Sequence, residues 1–386
     1  MSGKRNIKNF GKTYDYLKDP ELRRKETNDA LLTIDSAEFS GVDFQYLSWR
    51  NIRFVNCNFV GAYEVRPKFI ENALFEDCKF AGIFNLGKLK QVRFLGCLID
   101  GTSHLAGDTG SKEVVFESCQ MMGNDPEPNH WGSFGAYGDV TFIKCKARWI
   151  SLTGETRHVI TDCEFENVDC QVDGEGGGSA VLIENSKLRG TFDMVPASLQ
   201  SLTIRDTVID SLDLSGASVK GDILMERVKG GAINIGIREG ANSFVLKDSQ
   251  IYGNGEIICS VYAGAFKTVL IEDCVFGGGP TVRAGIGGGF EPDDKAFQPV
   301  LTQSFTLRRN KVPSLRTGRL NAAHVVFEEN TIDSLELIQS RIGKLEMQGN
   351  TFARSVDFSG TQARQSKVQA LAKGQAKLDG SNVKLN

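Results

Sequence analysis

An aromatic side chain recurs at every fifth residue near the start of the chain: Phe39, Phe44, Trp49, Phe54 and Phe59. Two residues before each stands a small or branched apolar one, Ala37, Val42, Leu47, Ile52 and Cys57. A helix repeats every ~3.6 residues and a strand every ~2, so neither alone keeps both sets on one side. The beat therefore predicts a repeat architecture. It returns late as Leu320/Ala322, Val325/Phe327, Asn330/Ile332, Leu335/Leu337, Ser340/Ile342, Leu345/Met347 and Asn350/Phe352. A middle stretch keeps it at Leu202/Ile204, Thr207/Ile209, Leu212/Leu214 and Ala217/Val219.

A second register runs at about four times that period. The fragment apolar-x-acid/amide-slot-x-apolar is seen at Phe54–Phe59, Phe75–Phe80, Ile160–Phe165, Ile183–Leu188 and Phe327–Ile332. Its slot falls at 37, 57, 78, 97, 119, 145, 163, 186, 207, 249, 274, 310, 330 and 350, with a weak copy near Arg227 and Val228. That makes roughly fifteen coils. Each pentapeptide supplies one of four faces per turn, with two residues inward and polar ones between and at the corner. Corners recur too fast for helices, so neighbouring turns must bond through parallel ladders. The handedness of parallel crossovers predicts a right-handed coil. The expected class is all-β, a right-handed parallel β-helix with short helical caps.

The five blocks from Ala37-Glu38-Phe39-Ser40-Gly41 through Cys57-Asn58-Phe59-Val60-Gly61 run without a gap. In this the chain resembles the pentapeptide-repeat family of quadrilateral β-helices, and the likeness extends loosely over residues 34 to 358. Copies between 62 and 300 are interrupted, unlike the family pattern, and turns there are compatible with a square or a triangular cross-section.

One continuous register across 386 residues argues for a single solenoid rather than several globular domains. A net charge of -3 and a pI of about 5.9 predict neither nucleic-acid binding nor an acidic mimic of it. No apolar run approaches a membrane span, and Met-Ser-Gly-Lys-Arg-Asn lacks the hydrophobic core of a signal peptide. A cytoplasmic protein is expected. Of the nine cysteines, Cys57, Cys78, Cys97, Cys119, Cys145, Cys163 and Cys274 share the slot that other coils fill with Ala37, Ser186, Thr207, Ser249 or Asn310. A position indifferent to thiol, hydroxyl and amide is chosen for size and packing. No pair shows metal-type spacing, so no metal is assigned.

Residues 1–33, with a helix-like stretch after Pro20, read as a cap over the first coil of a helix spanning 34–358. Residues 359–386 read as a C-terminal cap helix and tail, from Val368, Leu371, Ala372 and Ala376 at helical spacing. Their apolar stripe is thin, so a monomer is expected rather than a dimer. Loop insertions fall near 100–112, 123–138 and 277–300, all downstream of the same face, and insertions in repeat proteins cluster on the binding face. They carry aromatics among acids: Asp125, Glu127, His130, Trp131, Phe134 and Tyr137, then Phe290, Glu291, Asp293 and Asp294. Those residue types suit a protein-protein hot spot for a basic partner.

Catalysis on glycans would need clustered carboxylates and an acid/base on one face. No such cluster stands in register, and His104, His130, His158 and His324 share no phase. The Gly285-Ile286-Gly287-Gly288-Gly289 run lacks the lysine and helix start of a phosphate cradle. Arg308-Arg309 and Arg316/Arg319 lack the interleaved aromatics of a nucleic-acid surface. No enzyme and no cofactor are expected.

Among pentapeptide-repeat proteins the resemblance implies two jobs. DNA mimicry that protects topoisomerases rests on a strongly acidic, uninterrupted helix and a dimerising C-terminal helix, and fits this chain poorly. The other is immunity against a toxin. The combination resembles β-helical immunity proteins that block nuclease toxins delivered by bacterial type VI secretion. That implies a cognate protein toxin as partner, with neither nucleic acid nor membrane bound directly. A DNA-mimic or host-targeted effector and a pectate-lyase-like enzyme are the alternatives.

Overall fold

The computed structural model describes residues 4–60, 67–81, 84–100, 103–106, 110–122, 134–153, 156–171, 178–193, 198–237, 241–252, 257–262, 266–277, 283–287 and 302–386. The chain is an all-β parallel solenoid, 62% strand with two short helices, of about 12 turns. That is slightly fewer than the roughly fifteen coils read from the motif.

The five-residue beat has a backbone cause. Ser36, Gly41, Tyr46, Asn51 and Asn56 all turn the chain in the left-handed region, at φ 56, 59, 65, 47 and 49°. Between corners, two side chains point inward around one pointing outward, as on a short strand. The residue before the slot is left-handed again at Asp77, Gly96, Ser118, Lys144, Asp162 and Asn185, and from Asp206 through Arg227 and Asp248 to Glu329 and Gly349. This explains the acid or amide of the motif, since Asn and Asp tolerate that conformation best after Gly. From Leu320 to Ile342 each pentapeptide buries its first and third residue, so the turns there are four-sided.

The chain divides into two compact units, Met1–Gly190 and Thr191–Asn386. In the first, one ladder joins Leu32–Asp35, Ser48–Val55, Phe69–Glu76, Lys88–Leu95, Lys112–Glu117, Val140–Ile143, Arg157–Thr161 and Ser179–Glu184 in parallel. Its register stacks Ile34, Phe54, Phe75, Phe94, Phe116, Phe142, Ile160 and Ile183 in the lumen. Ring centroids along Phe54, Phe75, Phe94 and Phe116 lie 4.8, 4.8 and 4.5 Å apart, the spacing of strands in a ladder. A second column, Phe39, Phe59 and Phe80, repeats it at 4.5 and 4.8 Å. Each such ring contributes on the order of 1.5–3 kcal/mol of burial, which sustains a narrow core.

The second unit has the same plan with mostly aliphatic side chains in place of rings. Ile204, Met225, Leu246, Ile271, Leu307, Phe327, Met347 and Val368 form its inner column. The weak copy is present, with Arg227 left-handed and Val228 fully buried.

The expected N-terminal cap is observed. Arg5–Asn6 lies parallel on Ala37–Glu38, covering that strand edge. Helices Lys12–Lys18 and Pro20–Thr27 follow, the second started by Pro20 and by Asp19, whose carboxylate accepts from the backbone N–H groups of Glu21 and Leu22. Leu17 is buried, and its carbonyl accepts a 3.1 Å bond from Trp49 Nε1 of the first turn.

The C-terminal cap helix is not formed. Gln362–Val368 is instead a rung, parallel to Arg341–Met347. Gly360 makes a left-handed corner, Thr361 fills the slot and Ala363 and Val368 turn inward, so the five-residue beat overrides the helical spacing. The tail still caps this unit. Asn386 N–H donates to the Val368 carbonyl at 3.0 Å, Ala363 N–H to Asn382 Oδ1 at 2.7 Å and Gln362 Nε2 to the Gly380 carbonyl at 2.7 Å.

Candidate partner-binding flank

The slot is settled by its hydrogen bonds. Cys57, Cys78, Cys97, Cys119 and Cys145 direct their thiols to the carbonyls of Ile34, Phe54, Phe75, Phe94 and Phe116, one turn back, at 3.3–3.5 Å. Asn310, Asn330 and Asn350 do the same with Nδ2, to Ile271, Leu307 and Phe327 at 2.8, 2.9 and 2.7 Å. Apart from Ala37 and Val228, the slot is thus filled by a side chain that can donate. All seven slot cysteines are buried and unpaired, and burial pushes the Cys274 thiol up to about 12. A thiol held protonated in this way is a poor nucleophile.

The insertions depart from stacked positions. In the first unit, Asn58–Val60, Lys79–Ala81, Leu98–Asp100 and Gln120–Met121 pair in register, and the segments after Asp100 and after Met122 leave from the ends of this ladder. Their returns stack as well. Phe84–Asn85 pairs with Ser103–His104, Ser103–Ala106 with Phe134–Tyr137, and Phe134–Tyr137 with Ile150–Thr153. Both insertions of this unit therefore spring from one flank.

In the second unit, Gln250–Tyr252 pairs with Val275–Gly277, and Ile257–Tyr262 with Arg283–Gly287. The insertion read as one excursion over 277–300 is thus broken by a rung. Its Arg283–Gly287 stretch also pairs with Leu315 and Arg316 on the following turn. This puts the first glycines of the Gly-rich run into a ladder rather than a phosphate-binding loop.

Of the residues singled out in the sequence, Asp125, Glu127, His130, Trp131, Phe290, Glu291, Asp293 and Asp294 lie outside the described residues. Phe134 enters as backbone opposite Ile150 and Ser103. Tyr137, opposite Thr153, is half-buried.

Sequence reading missed a feature of the ladders from which the insertions depart. Val60, Met122 and Tyr252 are outward residues three places after a slot, and they are 43%, 43% and 51% exposed. Tyr252 stands opposite Gly277, where an added Cβ would lie 2.1 Å from its Cδ1, so the ring rests on a glycine floor. Apolar side chains at this outward position were a legible signal.

Elsewhere the surface is a charge ladder. In the second unit Arg205 meets Glu226 at 3.4 Å, Lys247 meets Glu272 at 3.2 Å, and Arg308 meets Glu272 at 3.1 Å and Glu328 at 3.9 Å. Arg309 reaches Asp273 at 2.7 Å, and Arg316 reaches Glu336 at 3.3 Å. The arginines considered as a basic patch are therefore largely matched by neighbouring acids. The guanidiniums of Arg227 and Arg309 hold Asp206 and Asp273 below the usual carboxylate range. Exposed pairs of this kind contribute little individually, but they leave the flanks without a strong field of one sign.

No protein-family model, curated protein or solved structure matches this chain.

Proposed function

We propose that this chain is a non-catalytic protein-binding module, an immunity protein that binds and occludes a bacterial nuclease toxin of the type VI secreted kind. The observation that supports this reading is the departure of insertions from stacked ladder positions within each unit, with exposed Val60 and Met122 along the ladder of the first unit and Tyr252 on that of the second. Long loops on a stiff repeat are characteristically functional. Their acids, Asp125, Glu127, Glu291, Asp293 and Asp294, would steer toward the basic surface a nuclease must present to its substrate. Trp131, Tyr137 and Phe290 would supply the buried anchors. The protein acts as a monomer in the cytoplasm and needs no cofactor.

The test is a double substitution, Trp131→Ala with Phe290→Ala, assayed against the nuclease toxin that this reading expects to co-purify with the protein. Two anchors at about 2 kcal/mol each predict roughly a thousandfold loss of affinity. Wild-type affinity and neutralisation by the double variant would show that these loops are not the binding surface.

A further inference from the structure

The first turn has one corner that breaks the local rule. Its left-handed positions are Ser36, Gly41, Asn51 and Asn56, small or amide residues, together with Tyr46 at φ 65°. A bulky side chain is strained there, and nothing in the fold rewards it by burial, because Tyr46 is 81% exposed. Long polar or charged residues stand at other such corners, Lys144, Arg227 and Arg309 among them, but Tyr46 is the one aromatic there among the described residues, and a residue that breaks a local preference without a packing gain points to function.

Tyr46 forms one wall of a groove of about 340 Å³ between the cap helices and the first turn, with Tyr16, Pro20, Arg24 and Arg50. Arg23 lines it too and is 4% exposed. Its Nη1 donates to the Arg50 carbonyl at 2.6 Å, and its Nη2 to the carbonyls of Ala30 and Asn51, each at 2.8 Å. Its Nε, also buried, has no partner. This guanidinium is bonded to carbonyls alone in a poorly solvated place, and Asp29 acts on its charge through space without a direct bond. Arg24 and Arg50 stand about half exposed over the same groove, at 52% and 49%. Arg24 makes only loose pairs of 3.4 Å with Glu21 and with Asp29, and Arg50 one of 3.2 Å with Glu71.

We propose that this groove is a second docking site, separate from the insertion flank, for an acidic segment of a partner protein. Its carboxylates face Arg24 and Arg50 under the field of Arg23, and an apolar side chain packs between Tyr46 and Tyr16. Tyrosine and arginine are the residue types that dominate binding hot spots. Charge complementarity selects the occupant: Arg23, Arg24 and Arg50 against Glu21 and Asp29 leave the lining net positive.

The experiment uses the full chain and an array of fluorescein-labelled hexapeptides that alternate Asp or Glu with Leu or Phe, beside Lys and Ser counterparts. Acidic members should bind at least tenfold tighter than the Lys and Ser ones, and weaken with added salt. Tyr46→Asn and Arg50→Gln should each lower that affinity at least tenfold. Tyr46→Asn should also leave the melting temperature unchanged or raised, because Asn suits a left-handed corner. No preference for acidic peptides, a preference that survives both substitutions, or a lowered melting temperature in Tyr46→Asn would overturn the proposal.

Discussion

Replacing Asn330 probes the interior polar ladder of the second unit. Asn330 is 1% exposed and takes part in four hydrogen bonds through its side chain. Its Oδ1 accepts from Asn310 N–H at 2.9 Å and from Asn310 Nδ2 at 3.0 Å. Its Nδ2 donates to the Leu307 carbonyl and to Asn350 Oδ1, both at 2.9 Å. At about 1 kcal/mol net per bond, with the Asn310 N–H left buried and unsatisfied, Asn330→Ala should destabilise the unit by roughly 3–4 kcal/mol. Asn330→Cys should be milder, about 1–2 kcal/mol. A thiol there can donate to Leu307 as Cys78 does to Phe54, but it cannot replace both accepted bonds. Urea unfolding followed by circular dichroism gives the two values, and hydrogen exchange at Asn310 and Thr331 shows whether the loss is local. If both variants lie within about 0.5 kcal/mol of wild type, or if Cys damages the unit as much as Ala, the slot is not a hydrogen-bonding position.

Other consequences follow from the slot, the charge ladder and the tail. Of nine cysteines, the seven whose side chains are described are buried, so at most two thiols should react with a disulfide reagent in the native protein and all nine after unfolding; rapid native reaction of more than two would contradict the burial. Asp206 and Asp273 have lowered folded-state pKa values, so the stability they add is present above the ordinary carboxylate range, about 4, and is lost as pH falls through their folded values. Arg227→Gln with Arg309→Gln should therefore move the acid-unfolding midpoint upward, and an unmoved midpoint would show that the pairs do not matter. Deleting residues 376–386 uncovers the Gln362–Val368 rung and should produce concentration-dependent association in light scattering; a shortened chain that stays monomeric and equally stable would rule out a capping role.

The fold was legible because the constraint is geometric and local. Left-handed corners at Ser36, Gly41, Tyr46, Asn51 and Asn56 impose the five-residue beat on side-chain chemistry, so the inward column can be read directly from sequence. The same rule shows why the C-terminal helix was misread. Val368, Leu371, Ala372 and Ala376 match a helix, but Thr361, Ala363 and Val368 continue the beat, and a rung can bond to the turn already in place. An isolated short helix has no such template. The Gly-rich run was misplaced for a related reason, since Arg283–Gly287 lacks the motif's apolar pattern and is fixed by neighbouring rungs. The flank is where the motif lapses, so its departure points follow from the register while the positions of Trp131 and Phe290 do not. Val60, Met122 and Tyr252 carried a readable signal, as apolar residues at a position that faces outward.

The most direct measurement is affinity capture of the tagged protein from its native cells, with mass spectrometry and a nuclease assay on the captured complex. The account predicts a stoichiometric partner carrying a nuclease domain whose activity is silent in the complex and restored when it is released. Recovery of the protein alone under those conditions, or of a partner whose nuclease activity is undiminished, would contradict it.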